Sequence, residues 1–168
     1  QGGVQVTPLQ ITSVIAAIAN GGTLYKPHLL ESVLDDEGNV VRHVQPEVIR
    51  SNMIDPVYLR EARIGMRRTV TDGTGRSLQH VPVTVAAKTG TAEVGVSSPH
   101  AWFVAFAPYE NPEIAITVMV DHGGEGSPIA APITREILNW YFGYHGKTSA
   151  ASATSTPAEL IPEASSST

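Results

Sequence analysis

Seven consecutive residues, Ile114-Ala115-Ile116-Thr117-Val118-Met119-Val120, are too apolar for a surface loop and too short and β-branched for a globular helix. They predict a strand. Two further strand signals precede it, residues 83–91, rich in β-branched side chains, and residues 102–107. The turn-forming residues 108–112 join the last two, and such short connections make sequential strands antiparallel neighbours. An antiparallel meander is therefore the frame against which everything else must pack.

Three helices are predicted around it. Thr7-Pro8-Leu9-Gln10 has the form of a capping box with proline in the first turn. Ile11, Val14, Ile15 and Ile18 follow at the spacing of one buried face, and Asn20-Gly21-Gly22 stops the helix. Asp55-Pro56 opens a second helix with Leu59, Ala62, Met66 and Val70 on one side, ended by Asp72-Gly73-Thr74-Gly75. Between these two, residues 29–34 and 40–44 flank Asp35-Asp36-Glu37-Gly38-Asn39 and predict a β-hairpin. After Gly123-Gly124-Glu125-Gly126, Ser127-Pro128 can start a third helix with Ile133, Ile137, Leu138 and Tyr141 as its stripe, although Pro132 allows a later start.

From Lys147 the composition turns to Ser, Thr, Ala and Pro, which cannot bury enough surface to offset chain entropy. The expected organisation is one α/β domain of the α+β type over residues 1–146 and a disordered tail over 147–168. The 168 residues carry a net charge of −5 with no basic run, which gives no footprint for nucleic acid. The absence of cysteine excludes disulfides, thiolate metal sites and a cysteine nucleophile. No apolar run reaches the ~18 residues of a membrane span. Gln1 stands where a translated chain has methionine, so a piece of a longer polypeptide or a processed product is expected.

The segment with most chemical potential is Lys88-Thr89-Gly90-Thr91, expected at the end of a strand. A phosphate loop needs glycines before its lysine, and Val85-Ala86-Ala87 supplies none. A plain strand end with an exposed lysine, or a glycine serving only as a bulge, fits four residues equally well. The functional alternative is a strand edge that offers N–H and C=O groups to an extended peptide. There a lysine attracts a carboxylate, hydroxyls bind it, and a backbone N–H forms half of an oxyanion hole, typically worth ~3 kcal/mol in the transition state.

Lys-Thr-Gly is one of the signatures of penicillin-binding proteins and serine β-lactamases. The chain resembles the later half of class B penicillin-binding transpeptidases as a series. The series comprises residues 1–10, Ala19-Asn20-Gly21-Gly22 with Pro27, Asp72-Gly73-Thr74-Gly75, Lys88 through Glu93, and Ala101 through Pro108, in the family's order. His122-Gly123-Gly124 and Ala130-Ala131-Pro132-Ile133 are most similar to the elongation-type branch, penicillin-binding protein 2. The likeness spans about residues 1–143.

The resemblance implies roles. Lys88 would face the active serine and supply positive potential. Thr89 and Thr91 would bind the terminal carboxylate of a D-alanyl-D-alanine stem peptide or of a β-lactam mimicking it. The Thr91 N–H would be half of the oxyanion hole, and Gly90 would leave room for the ligand backbone. It implies no cofactor, a place outside the cytoplasmic membrane, and an elongation-type membrane glycosyltransferase as partner. The nucleophile is not here. The lysines are Lys26, Lys88 and Lys147, preceded at three residues by Thr23, Val85 and Tyr144, so Ser-x-x-Lys is absent, as is Ser-x-Asn. Both are expected in the upstream half of the same polypeptide, which leaves this piece inactive alone. Exposed apolar surface is expected where the upstream helical layer would dock. A serine β-lactamase, a penicillin sensor and a non-catalytic scaffold are the rival readings. The six histidines include no pair at i, i+4 beside a carboxylate, so no metal site is expected. His100 could line the cleft, while Asp121 and Glu125 read as solvated loop residues.

Overall fold

The computed structural model describes residues 3–152, with only the backbone course described from 144 onward. Helix α1 (Pro8–Ala19) begins in a complete capping box, with the Gln10 N–H donating to Thr7 Oγ1 at 3.3 Å and the Thr7 N–H to Gln10 Oε1 at 2.8 Å. Asn20 closes it, and Gly21 and Gly22 turn the chain at φ of +87° and +110°. Ile11, Ile15, Ile18 and Ala19 face the sheet. Val14, expected among them, is 51% exposed because it sits at the margin of the stripe, beyond the sheet's footprint. Val4 and Leu9 are likewise exposed, at 82% and 59%.

Two antiparallel pairs follow. Strand β1 (Leu24–Tyr25) pairs with β4 (Val48–Arg50), and β2 (Ser32–Leu34) with β3 (Val40–His43). The inner pair is the expected hairpin with shortened strands. The outer pair is too short to carry a readable periodicity. Helix α2 (Pro56–Thr71) is capped by the Asp55 carboxylate, which accepts the Val57 N–H at 2.8 Å. Leu59, Met66 and Val70 are buried as expected, but Ala62 is exposed and the partly buried Arg63 turns inward instead.

The meander is present. Strands β5 (Ala86–Val94), β6 (Ser97–Ala107) and β7 (Ile114–Val120) form an antiparallel sheet in the order β5-β6-β7. Its boundaries differ from expectation. β5 starts at Ala86 and runs beyond Thr91, and β6 starts at Ser97, so Lys88-Thr89-Gly90-Thr91 lies within a strand and not at its end. The cause is a tight turn at Gly95-Val96, with Gly95 at φ +52°, which pairs Val94 with Ser97 and extends the ladder through polar residues that carry no strand signal.

Alternation along β6 divides the core. Ala101, Phe103, Ala105 and Ala107 face one way, against Leu78, Val70 and helix α3 (Ala131–Ser152). Val104 and Phe106 face the other way, against α1 and Met66 of α2. Both phenylalanines are fully buried, and each such side chain contributes roughly 2–3 kcal/mol by leaving water. The sheet is thus the middle of three layers.

Helix α3 begins after a single wide turn over Gly126–Ala130, the later start that Pro132 allows. Its inward face is Ala131, Thr134 and Leu138, while Ile133 and Ile137, expected inward, are 42% and 39% exposed. A buried threonine masks the true stripe, and its hydroxyl is satisfied by the Ala130 carbonyl at 3.0 Å. The helix passes Lys147 and ends at Ser152, as the helix-favouring Ala150-Ala151 permits. The remainder of the tail expected to be disordered, from 153 on, lies outside the described residues.

Candidate active-site cleft on the edge strand

β5 is the edge of its sheet, so one side of its backbone is not taken up by the β6 ladder. Along it runs a cleft of about 560 Å³. Residues 88–94 form one wall, His100, Trp102 and Val104 of β6 form the floor, and Val4 to Val6 with Ile11 close the other side. His100 lines the cleft as expected. The role of the segment before α1 as a wall was not legible, because nothing in Val4-Gln5-Val6 marks it as more than a lead into the helix.

Pairing fixes which way the motif faces. Lys88, Gly90 and Ala92 stand opposite Val104, Trp102 and His100. They therefore belong to the α1 side of the sheet, and Thr89 and Thr91 to the α3 side. Lys88 is exposed, and its ammonium donates to the Thr89 carbonyl at 2.5 Å. Thr91 is exposed. Gly90 is required by close packing, since a Cβ there would meet the Trp102 Cβ at 3.0 Å.

Two supports behind the strand were not foreseen. Thr89 Oγ1 lies 2.9 Å from Thr74 Oγ1, on the loop that ends α2. The Ser127 hydroxyl donates to the Thr74 carbonyl at 2.6 Å, which ties that loop to the turn before α3. Gly126 of this turn sits directly on β5 and β6. A Cβ there would stand 2.2 Å from the Trp102 oxygen and 2.5 Å from the Gly90 oxygen. In the sequence Asp72-Gly73-Thr74-Gly75 is a helix stop and a member of the family series, and Ser127 a helix start; neither reading places them behind Thr89, and their convergence there needed the fold.

A partly buried arginine clamps the other end. Arg63 donates to the carbonyls of Ala19 and, at 2.6 Å, Tyr109, and lies 5.0 Å from the Phe106 ring centroid. Arg67 donates to the Val85 carbonyl at 2.9 Å, just before β5. Thr84 donates to the Glu110 carboxylate, and this bond, with the residue's own backbone N–H, lowers the Glu110 pKa.

Residues 1–139 match the model of the penicillin-binding protein transpeptidase domain. The chain belongs to this family. It is 37% identical over 157 residues to penicillin-binding protein 2A of Bacillus subtilis strain 168, covering 81% of this chain and 22% of that protein. It is 32% identical over 161 residues to the peptidoglycan D,D-transpeptidase MrdA of Haemophilus influenzae, covering 84% and 24%. Among solved structures, the imipenem acyl-enzyme complex of penicillin-binding protein A from M. tuberculosis superposes with a TM-score of 0.68 at 34% identity, over 80% of this chain and 30% of that one. Penicillin-binding protein 2B of Streptococcus pneumoniae strain R6 gives 0.75 at 28% identity, over 83% and 25%. The chain spans about a quarter of the length of the curated relatives. The family and the α+β fold expected from the motif series are both confirmed.

Proposed function

We propose that this transpeptidase-domain chain supplies the substrate-binding strand of a penicillin-binding peptidoglycan D,D-transpeptidase. The observation that carries the reading is the placement of Lys88-Thr89-Gly90-Thr91 on an edge strand beside a peptide-sized cleft. In the reaction, a serine Oγ attacks the carbonyl of the penultimate D-alanine of a stem peptide and the terminal D-alanine leaves. The resulting acyl-serine is then attacked by an amine of a second stem peptide. In this reading the serine, with the lysine of its Ser-x-x-Lys motif, is supplied by an upstream part of the same polypeptide.

In this reading an extended stem peptide lies along β5 as an added strand. Gly90 keeps the surface low. Lys88, on the α1 side, gives positive potential to the developing alkoxide. Thr91 offers its N–H to the carbonyl oxygen as charge develops there, and its hydroxyl to the substrate carboxylate. Thr89 shares that carboxylate. A hydroxyl has one donor and two acceptor positions, so Thr89 can accept from Thr74 and still donate to the ligand. Support comes from relatives named as peptidoglycan D,D-transpeptidases and from a similar solved structure that is an imipenem acyl-enzyme complex. A place on the outer side of the cell membrane and a membrane glycosyltransferase partner belong to the same proposal. No helix among the described residues is long and apolar enough to cross a membrane.

Fluorescent penicillin labelling on a denaturing gel tests this. Labelling of an upstream-extended protein, but not of the 168-residue chain, is the expected result. Labelling of the chain alone would mean that it carries a nucleophile of its own. A folded extended protein that takes no label would favour a scaffold over an enzyme.

A further inference from the structure

The register of β6 and β7 ends at Ala101 opposite Val120, and one step further sets His100 across from Asp121. His122 then turns back at φ +51°, a left-handed conformation that costs a residue with a Cβ roughly 1–2 kcal/mol. Three side chains meet there. Asp121 Oδ1 lies 2.8 Å from His100 Nδ1 and 2.9 Å from His122 Nδ1, and the three residues' ligand-type atoms lie within 4.8 Å of one another.

Their protons cannot satisfy every contact. His100 Nδ1 also accepts the His122 backbone N–H at 3.0 Å. A ring nitrogen carries either a proton or an in-plane lone pair. With the lone pair it accepts that N–H but meets the Asp121 carboxylate acceptor to acceptor at 2.8 Å. With the proton it satisfies Asp121 and leaves the His122 N–H pointing at another N–H.

We propose that His100, Asp121 and His122 bind a divalent transition-metal ion of the zinc class. A cation held by His100 Nδ1 and Asp121 Oδ1 makes ligands of two acceptors that otherwise oppose one another, and it displaces the His122 N–H from that nitrogen. Two imidazoles and a carboxylate are a donor set that zinc and its neighbours accept, and three protein ligands leave a coordination position for water or a ligand. The site stands at the end of the cleft, since His100 lines it and pairs with Ala92 of β5. The i, i+4 spacing test could not find it, because the ligands come from two paired strands and the turn beyond. The proposal is independent of the transpeptidase reading.

Cobalt(II) is titrated into the 168-residue chain near neutral pH and followed by its visible absorption, with zinc stoichiometry from equilibrium dialysis. The same titration on the upstream-extended protein serves if circular dichroism shows the chain alone unfolded. One ion per chain is expected. His100→Ala and His122→Gly should each weaken binding by more than roughly tenfold. Glycine suits the φ at position 122, so that variant keeps its turn. His43→Ala, on β3, should bind as the parent does. The proposal fails if the folded parent binds no ion, or if binding survives both substitutions. It fails equally if the ring-nitrogen NMR signals of His100 and His122 follow pH and ignore added zinc, because the cluster would then be a proton-linked contact only.

Discussion

The hydroxyls of Thr74 and Thr89 lie 2.9 Å apart, and this contact joins the end of α2 to the middle of β5. Thr89 is therefore oriented from behind, by a loop that itself hangs from Ser127. The pair is exposed, so it adds little to global stability. Its consequence is the direction in which the Thr89 hydroxyl points.

Thr74→Val removes that partner without changing the side chain's shape. In the upstream-extended protein, the rate of acylation by fluorescent penicillin should fall by roughly fivefold to tenfold, the equivalent of one hydrogen bond of about 1 kcal/mol. Thr74→Ser should restore most of the rate. The melting temperature should change little in either variant. An unchanged acylation rate in Thr74→Val would remove Thr74 from the positioning of the strand.

Gly126→Ala tests the contact beneath the strand. The added methyl would stand 2.2 Å from one backbone oxygen and 2.5 Å from another, and neither is the end of a flexible side chain. Either the turn or β5 must move. Urea unfolding should show a loss of about 2–3 kcal/mol, the upper range for overpacking a tight site. A loss below roughly 0.5 kcal/mol would mean that the turn relaxes freely.

Periodicity revealed the sheet order and all three helices, because Ile114–Val120 and the two capped helix starts are strong local signals. Periodicity failed where a tertiary partner decides. Arg63 and Thr134 point inward although polar, since each finds carbonyl acceptors there, and Ala62 and Ile133 are displaced outward as a result. The Lys88-to-Thr91 motif was legible as a string, but its place within a strand depended on the Gly95 turn. Thr74, Ser127 and the His100–Asp121–His122 group are separated in sequence and brought together only by strand register and turns. Thr74 stands in the family series and His100 was expected near the cleft, but no local pattern announces the contacts these residues make.

Arg63 ties α2 to the end of α1 and to the loop after β6. Its guanidinium reaches the C-terminal carbonyl of α1, where a positive charge also complements the helix dipole, and the Tyr109 carbonyl. Arg63→Met keeps much of the packing but leaves two partly buried carbonyls without a donor. A loss of about 2–4 kcal/mol in urea unfolding is expected, from charge-assisted bonds of about 1.5–3 kcal/mol each, partly replaced by water. Arg63→Lys should recover less than half of it, because an ammonium cannot span both acceptors as the planar fork does. Equal stability of Arg63→Lys and the parent would show that one of the two bonds is dispensable.

The Asp35 carboxylate organises the β2–β3 turn. It accepts N–H groups from Glu37 at 3.0 Å and Asn39 at 2.8 Å, and the Asn39 side-chain amide at 3.1 Å. The Asn39 side chain is the largest of the influences that hold its pKa below the ordinary 3.8. A carboxyl with a depressed folded pKa stabilises above its unfolded value, and that contribution is lost as pH falls through the folded value. The hairpin should therefore stay intact at pH 5 and above and loosen only in acid below 3.8. NMR titration of the Asp35 side-chain carbon should give a midpoint under 3.8, and Asn39→Ala should bring it back up towards that figure. An unmoved midpoint in Asn39→Ala would transfer the effect to the backbone N–H groups, and Asp35→Asn would then be the substitution that opens the turn.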